Sequence, residues 1–182
     1  MKVLLLAGSA GKPSHTLGGL KKVAEELNKL SVETEIWDLK KENLPMADAD
    51  YHKNPEDHPD EKVKRLVASA NEADAIILGS PNYHNSFSGL LKNALDHLNI
   101  QNFYLKPVGL FTHSGGIRST EPLGQLRLVA RGLLGVAIPM QVATCNEDYD
   151  LIDNEYEITH EAMRERIQAF SEQLVQFANN LR

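Results

Sequence analysis

Cysteine is almost absent from this chain, since Cys145 is the only one among 182 residues. A single cysteine excludes a disulfide within the chain and a multi-cysteine metal site. Long hydrophobic runs are missing too: no stretch approaches the roughly 18 apolar residues that span a membrane. The apolar run after Lys2 is too short for a signal peptide and is typical of a first strand. We therefore expect a cytoplasmic protein with no metal site and no membrane contact.

An excess of positive charge is missing as well. The chain has 19 Lys and Arg residues against 25 Asp and Glu residues, which gives a net charge of −6. A general nucleic-acid-binding surface is therefore not expected. The hydrophobic content of 42% and charged content of 24% are ordinary for a globular protein. The length favours a single domain, which we expect to cover residues 1–182.

Short apolar segments typical of buried strands alternate with amphipathic segments typical of helices. The predicted strands cover residues 2–7, 33–38, 75–79, 108–112 and 137–143. The predicted helices cover residues 16–30, 60–72, 89–98, 122–134 and 160–181. Such an alternation implies parallel crossovers, and hence an α/β fold whose sheet is covered by helices on both faces.

The most informative segment follows the third predicted strand. Residues 79–88 form a loop rich in Pro, Asn, Ser and Gly, and helical spacing of leucines begins directly after it. Ligands of open parallel sheets bind beyond the carboxyl ends of the strands, where this loop lies. Its aromatic ring, amides and hydroxyls suit a flat heterocycle with polar edges. The candidate binding residues are Pro81, Asn82, Tyr83 and His84.

Another candidate loop follows the first predicted strand. Residues 8–16 read Gly-Ser-Ala-Gly-Lys-Pro-Ser-His-Thr, and a helix begins at their end. Glycines bring backbone N–H groups close to a ligand, and a helix N-terminus attracts phosphate. The candidate phosphate-binding residues are Ser9, Lys12, Ser14 and Thr16. A plain turn with Ser14 or Thr16 as N-cap is equally consistent with the sequence. The loop matches neither the P-loop of nucleotide triphosphatases nor the dinucleotide-binding fingerprint.

A third candidate loop follows the fourth predicted strand and contains Ser114, Gly115, Gly116 and Arg118. The glycine N–H groups are suited to a carbonyl or a developing anion, and Arg118 adds charge. The alternative is a glycine turn with Arg118 in solvent. All three loops are expected at one edge of the sheet. Together they predict one site for a molecule with a phosphate at one end and a planar ring at the other.

The connection between the second strand and second helix is unusually long. Residues 40–59 contain three prolines and several acidic residues. Such a segment is either a lid or interface element, or a solvated connection, and the sequence does not separate these. His52 and His58 lie within it, but their spacing fits no familiar metal site.

The loop of residues 79–88 and the helix after it carry a family resemblance. Residues 80–83, Ser-Pro-Asn-Tyr, and 89–96, Gly-Leu-Leu-Lys-Asn-Ala-Leu-Asp, resemble T-P-x-Y followed by P-G-x-L-K-N-x-x-D. This pattern is typical of the NAD(P)H-dependent FMN reductases, a family that includes flavin reductases, azoreductases, and quinone or chromate reductases. Residues 43–45 and 115–116 also agree with the family, and the resemblance covers nearly the whole chain.

The resemblance implies a flavodoxin-like three-layer sandwich with a five-stranded parallel sheet in the order 2-1-3-4-5. It implies FMN as cofactor and NADPH or NADH as hydride donor. Ser9, Ser14 and Thr16 would bind the FMN phosphate, and Lys12 would compensate for Gly11, which replaces an arginine of the family pattern. The ring would be lined by Pro81, Asn82, Tyr83 and His84, and its pyrimidine end would meet Ser114, Gly115 and Gly116.

The resemblance further implies ping-pong electron transfer to azo dyes, quinones, free flavin or metal oxyanions. No side chain is required as a nucleophile, so we assign no catalytic residue. A homodimer or homotetramer is expected from the family. Three other functions remain: a flavodoxin-type electron carrier, a flavin reductase that uses FMN as a diffusing substrate, and a module that binds an anion or nucleotide without flavin.

Overall fold

A computed structural model of the protein describes residues 1–181, so residue 182 of the predicted domain lies outside them. The sheet is parallel, in the order β2-β1-β3-β4-β5, and β6 also pairs with β4. This confirms the predicted fold and strand order. The six strands are β1 (Lys2–Ala7), β2 (Glu33–Asp38), β3 (Ala75–Pro81), β4 (Pro107–His113), β5 (Val136–Ala137) and β6 (Val142–Thr144).

The helices cover both faces of this sheet. They are α1 (His15–Lys29), α2 (Leu39–Glu42), α3 (Glu61–Glu72), α4 (Gly89–Asp96), α5 (Ile100–Phe103), α6 (Glu121–Gly132) and α7 (Glu161–Asn180). In β1, Leu4 and Leu6 face the core formed with α3, α4 and α6, while Val3 and Leu5 face that formed with α1 and α7. This alternation is the two-residue period of a strand buried on both faces. Within residues 1–181, no helix is long and apolar enough to cross a membrane.

The predicted fifth strand, 137–143, is wrong as a single element. Residues 138–141 separate β5 from β6, and both short strands pair with β4. Pro139 has no N–H to donate to a ladder. The carbonyl oxygens of Ile138 and Pro139 accept hydrogen bonds from the Arg127 guanidinium of α6 at 3.0 and 3.1 Å. The interruption is therefore stabilised by a side chain from a neighbouring helix.

An antiparallel hairpin between the main sheet and α7 was not predicted. It consists of β7 (Tyr149–Ile152) and β8 (Glu155–Ile158), joined by Asp153 and Asn154 at positive φ. A two-residue turn with both residues left-handed is the favoured hairpin connection. The hairpin packs on α1 so closely that a Cβ at Gly18 would lie 1.9 Å from the carbonyl oxygen of Tyr156.

The long connection of residues 40–59 is docked on the body of the protein. It contains α2 and two single-turn 3₁₀ helices, Ala49–Tyr51 and Pro55–Asp57. The Asn93 side chain of α4 donates to the carbonyl of Pro45 at 2.8 Å and accepts from the N–H of Ala47 at 2.9 Å. Asn93, part of the motif that carries the family resemblance, therefore fastens this connection.

Candidate active site

The loop between β1 and α1 forms a cradle of hydrogen-bond donors. Ser14 is the N-cap of α1, and its Oγ accepts from the N–H of Leu17 at 3.1 Å. The Oγ of Ser9 accepts from the N–H of Gly11 at 3.1 Å. Both hydroxyls therefore act as acceptors within the loop and keep their hydrogens for another partner. Ser14 is the cap that the plain-turn interpretation predicted, yet capping leaves its donor free.

Thr16 has an unpartnered hydroxyl at the same helix end. The residue is only 1% exposed, and its Oγ1 has no hydrogen-bond partner among residues 1–181. The N–H groups of His15 and Thr16 open the helix and lack acceptors in this described part of the chain. A buried polar group without a partner is costly unless a ligand satisfies it. The donors here suit an anion.

The second loop is a tight turn at the carboxyl end of β3. Tyr83 and Ser86 exchange two backbone hydrogen bonds of 2.9 and 3.1 Å, while His84 and Asn85 adopt positive φ angles of 53° and 61°. Asn and His tolerate this conformation better than most residues. The Gln125 side chain of α6 donates to the carbonyl of Asn85 at 2.7 Å and accepts from the hydroxyl of Ser86. Gln125 was not predicted; it fixes the turn.

Asn82 joins the second loop to the third. Its N–H donates to the carbonyl of His113 at 2.7 Å, and its Nδ2 donates to Oγ of Ser119 at 2.8 Å. Its Oδ1 is buried without a hydrogen-bond partner in the described residues. Tyr83, next to it, is 41% exposed. An unpaired amide oxygen beside an accessible aromatic ring fits the polar edge of a planar ligand.

The third loop is held at its base and open at its tip. The N–H of Ser114 donates to the carbonyl of Thr144 at 3.0 Å, and its hydroxyl donates to the carbonyl of Ile117. The N–H groups of Gly115 and Gly116 have no acceptor in residues 1–181. A Cβ at Gly116 would meet nothing within 4 Å. Both N–H groups are therefore accessible to a ligand.

The second and third loops line one open cleft of about 560 Å³. Among the predicted binding residues, the cleft is lined by Asn82, His84, Ser114, Gly115 and Gly116. Lys12 and Ser14 line a neighbouring cavity, whereas Ser9, Thr16, Pro81 and Tyr83 line neither. The predicted residues thus occupy adjacent positions at one sheet edge, and their role in binding remains a prediction.

Arg118 does not supply free charge to the cleft, contrary to the sequence-based expectation. Its guanidinium forms two hydrogen bonds of 2.8 and 2.9 Å with the carboxylate of Asp148 and a third, of 2.9 Å, with the carbonyl of Ala143. The Asp148 side chain is 1% exposed and also accepts from the N–H of Cys145. The carboxylate raises the pKa of Arg118. This ion pair anchors the end of the third loop.

His15 is a site residue that sequence reasoning missed. Its ring stacks between His113, at a centroid distance of 4.1 Å, and Tyr156, at 3.4 Å. Tyr149 meets both imidazole rings edge-on. The stack connects the start of α1, the end of β4 and the hairpin. His113 is therefore packed away inside a ring cluster, with its Nδ1 3.2 Å from Oγ1 of Thr144.

This ring cluster predicts a stability loss in acid. Burial, reinforced by His15, lowers the pKa of His113 to about 4, and burial also lowers that of His15. Below pH 6.5 these histidines bind protons in the unfolded chain but stay neutral in the folded protein. The free energy of unfolding therefore decreases as the pH falls from 6.5 towards 4. We expect His113 to account for about 2 kcal/mol of this loss. Urea unfolding of wild type and His113→Asn at pH 7 and 4.5 measures it.

The control for this prediction is His52→Asn, since His52 is exposed. His113→Asn should flatten the pH dependence between the two values, whereas His52→Asn should leave the wild-type slope. Equal slopes for wild type and His113→Asn would contradict the assignment.

Comparisons with known proteins agree with this architecture. The sequence model of a family described as NADPH-dependent FMN reductase matches residues 1–149. The FMN-dependent NADPH-azoreductase of Staphylococcus saprophyticus is 40% identical over 181 residues, which cover 99% of this chain and 96% of that protein. A Staphylococcus aureus protein of the same name is 42% identical with the same coverage.

Solved structures share the fold. FerB, a flavoenzyme NAD(P)H:(acceptor) oxidoreductase from Paracoccus denitrificans, superposes with a TM-score of 0.78 at 24% identity, over 98% of this chain and 97% of that one. A Streptococcus pneumoniae flavodoxin gives 0.62 at 13% identity, over 96% and 97%. The structural likeness concerns the fold, while the sequence matches span most of the chain. The protein therefore belongs to the NADPH-dependent FMN reductase family.

Proposed function

We propose that the protein is an FMN-dependent NADPH oxidoreductase that reduces small acceptors, azo compounds among them. Family membership supports the cofactor, the hydride donor and the reaction class. The observation that carries the proposal is a set of groups at the sheet edge that lack hydrogen-bond partners within residues 1–181: the Thr16 hydroxyl, the Asn82 amide oxygen and the N–H groups of Gly115 and Gly116. These groups fit a phosphate, a polar ring edge and a ring carbonyl.

The redox chemistry, acceptance of a hydride from NADPH and delivery of electrons to the acceptor, would be supplied by FMN. The protein would bind FMN and orient it. Ser9, Ser14 and Thr16 would hold the phosphate with the first N–H groups of α1. Gly115 and Gly116 would direct N–H donors at developing negative charge, as in an oxyanion hole. Pro81, Tyr83 and His84 would border the ring, and Lys12 would add positive charge.

Dye decolorisation tests this function directly. Protein incubated with FMN and desalted should bleach an azo dye with NADPH, and omission of NADPH should abolish bleaching. Alternating oxidation and reduction predicts parallel lines in double-reciprocal plots. Retained FMN without NADPH oxidation would instead indicate an electron carrier, and activity only with free FMN would indicate a diffusing flavin substrate.

Replacement of Thr16 by Val should weaken FMN binding. The variant removes one hydroxyl donor to a phosphate, and a hydrogen bond to a charged group contributes about 1.5–3 kcal/mol, so we expect roughly a tenfold or greater rise in the FMN dissociation constant. The measurement is quenching of FMN fluorescence during titration with protein.

Thr112→Val is the matched control, because the Oγ1 of Thr112 is also buried without a partner among residues 1–181 but lies within β4, between Ser80 and Ala143. It should bind FMN as wild type does. Neither substitution should lower stability in the FMN-free protein, since each removes an unsatisfied hydroxyl. Unchanged FMN affinity in Thr16→Val would contradict the assigned role.

We also propose a cytoplasmic homodimer or homotetramer. NADPH consumption requires a compartment that supplies NADPH, which favours the cytoplasm. Met46, Ile117 and Leu128 are 81%, 85% and 68% exposed, and we expect them to be covered in the oligomer. A monomer mass in light scattering would contradict the oligomer.

A further inference from the structure

A second cavity is bordered by the loop of residues 8–14. It encloses about 370 Å³ between that loop, the start of α1, the end of β2 and the turn of the hairpin. This volume is within the range of small-molecule sites. Four lysines from three separate segments border it, and we call it the lysine cavity: Lys12, Lys21, Lys40 and Lys41.

The lysine cavity carries an excess of positive charge. Its acidic groups are Asp38 and Glu155, so four lysines face two carboxylates. Lys21 pairs with Glu155, and Lys40 donates to the carbonyl of Ala10 at 2.5 Å. The ammonium groups of Lys12 and Lys41 have no partner in residues 1–181. In a chain of net charge −6, two unpaired cations at one concave surface favour an anionic ligand.

The walls of the lysine cavity also offer apolar surface. Pro13, Leu17 and Tyr156 are among its lining residues. The Tyr156 ring is fixed by its stack on His15 at 3.4 Å. A rigid aromatic ring beside unpaired cations is suited to a flat base that carries a phosphate.

We propose that the lysine cavity binds the 2′-phosphoadenosine end of NADPH. This inference rests on the proposed function, since the hydride donor has to reach the neighbouring cleft. NADPH differs from NADH only in the 2′-phosphate, so this phosphate is the group that the unpaired ammonium of Lys41 would select. The adenine would pack against Tyr156 and Pro13. The lysine cavity is then the determinant of preference for NADPH over NADH.

Charge reversal at Lys41 tests the proposal. In FMN-loaded Lys41→Glu, the KM for NADPH should rise about tenfold or more, while the KM for NADH and the retained FMN should stay within twofold of wild type. Lys41→Met should show a smaller rise. Lys53→Glu is the control, because Lys53 is exposed outside the cavity and carries the same change in charge. It should leave both KM values unchanged.

Calorimetric titration of the FMN-loaded protein with adenosine 2′,5′-bisphosphate decides the point without turnover. Wild type should bind it more tightly than adenosine 5′-phosphate, and Lys41→Glu should lose this difference. One outcome is that wild type oxidises NADPH while Lys41→Glu keeps the wild-type preference for NADPH over NADH and the wild-type affinities for both adenosine phosphates. In that case the lysine cavity is not the 2′-phosphate site and the proposed function stands. If wild type oxidises neither nucleotide, the proposed function fails; equal binding of the two adenosine phosphates then overturns the cavity assignment as well.

Discussion

Replacement of Gly18 by Ala should displace the β7–β8 hairpin and destabilise the protein. The new Cβ would lie 1.9 Å from the carbonyl oxygen and 2.9 Å from the carbonyl carbon of Tyr156, and backbone atoms cannot move aside as a side chain does. Overpacking of this kind costs about 1–3 kcal/mol, and a backbone clash belongs at the upper end. The gain in helix propensity, about 1 kcal/mol, is too small to offset it.

Displacement of the hairpin should also disturb the ring cluster beside the candidate active site. Tyr156 stacks on His15, which stacks on His113, so a shift of β8 removes one wall of the ring cluster. We expect Gly18→Ala to bind FMN more weakly and to unfold at lower urea concentration. Chemical unfolding and FMN titration measure the two effects.

Gly124→Ala is the matched control, since Gly124 is exposed in α6 and an added Cβ would meet nothing within 4 Å. It should be neutral or stabilising by up to about 1 kcal/mol. Equal stability of Gly18→Ala and Gly124→Ala would contradict the close contact between α1 and the hairpin.

Replacement of Arg118 by Met should destabilise the protein and loosen the third loop. The Asp148 carboxylate would stay buried and lose its two hydrogen bonds from Arg118. It would keep the hydrogen bond from the backbone N–H of Cys145. Loss of one member of a buried pair costs about 3–5 kcal/mol. Because the Arg118 side chain is 42% exposed, solvent screens the pair, and we expect about 2–3 kcal/mol.

The same variant should weaken FMN binding, because Arg118 fastens the segment that presents the N–H groups of Gly115 and Gly116. Addition of Asp148→Asn should recover part of the lost stability, since the uncompensated charge is removed. Arg131→Met, at an exposed arginine in the last turn of α6, should change stability by less than about 0.5 kcal/mol. A wild-type unfolding midpoint in Arg118→Met would exclude a stabilising role for the pair.

The main sheet follows from local pattern. β1 and β2 begin and end at the predicted residues, and β3 and β4 are each two residues longer than predicted. The positions of these strands can be predicted from short apolar runs between amphipathic helices, because both faces of the sheet are buried. The break between β5 and β6 depends on Arg127 of α6, a contact that no local pattern reports.

The hairpin and the ring cluster depend on contacts between distant segments. β8 alternates Glu155 and Glu157 with Tyr156 and Ile158, but the pattern is only four residues long; the Asp153-Asn154 pair before it was a usable turn signal. His15 lies between two predicted site residues but matches no motif, and its stack joins three segments. Arg118 was predicted to serve a ligand because its partner, Asp148, lies 30 residues further along the chain.

The most direct test of the central claim is the visible spectrum of protein incubated with excess FMN, desalted, and then mixed with NADPH without oxygen. We expect a retained flavin spectrum, shifted from that of free FMN, which NADPH bleaches and an azo dye restores. A colourless protein that takes up no FMN at any concentration, or a flavin band that NADPH leaves unchanged, would contradict it.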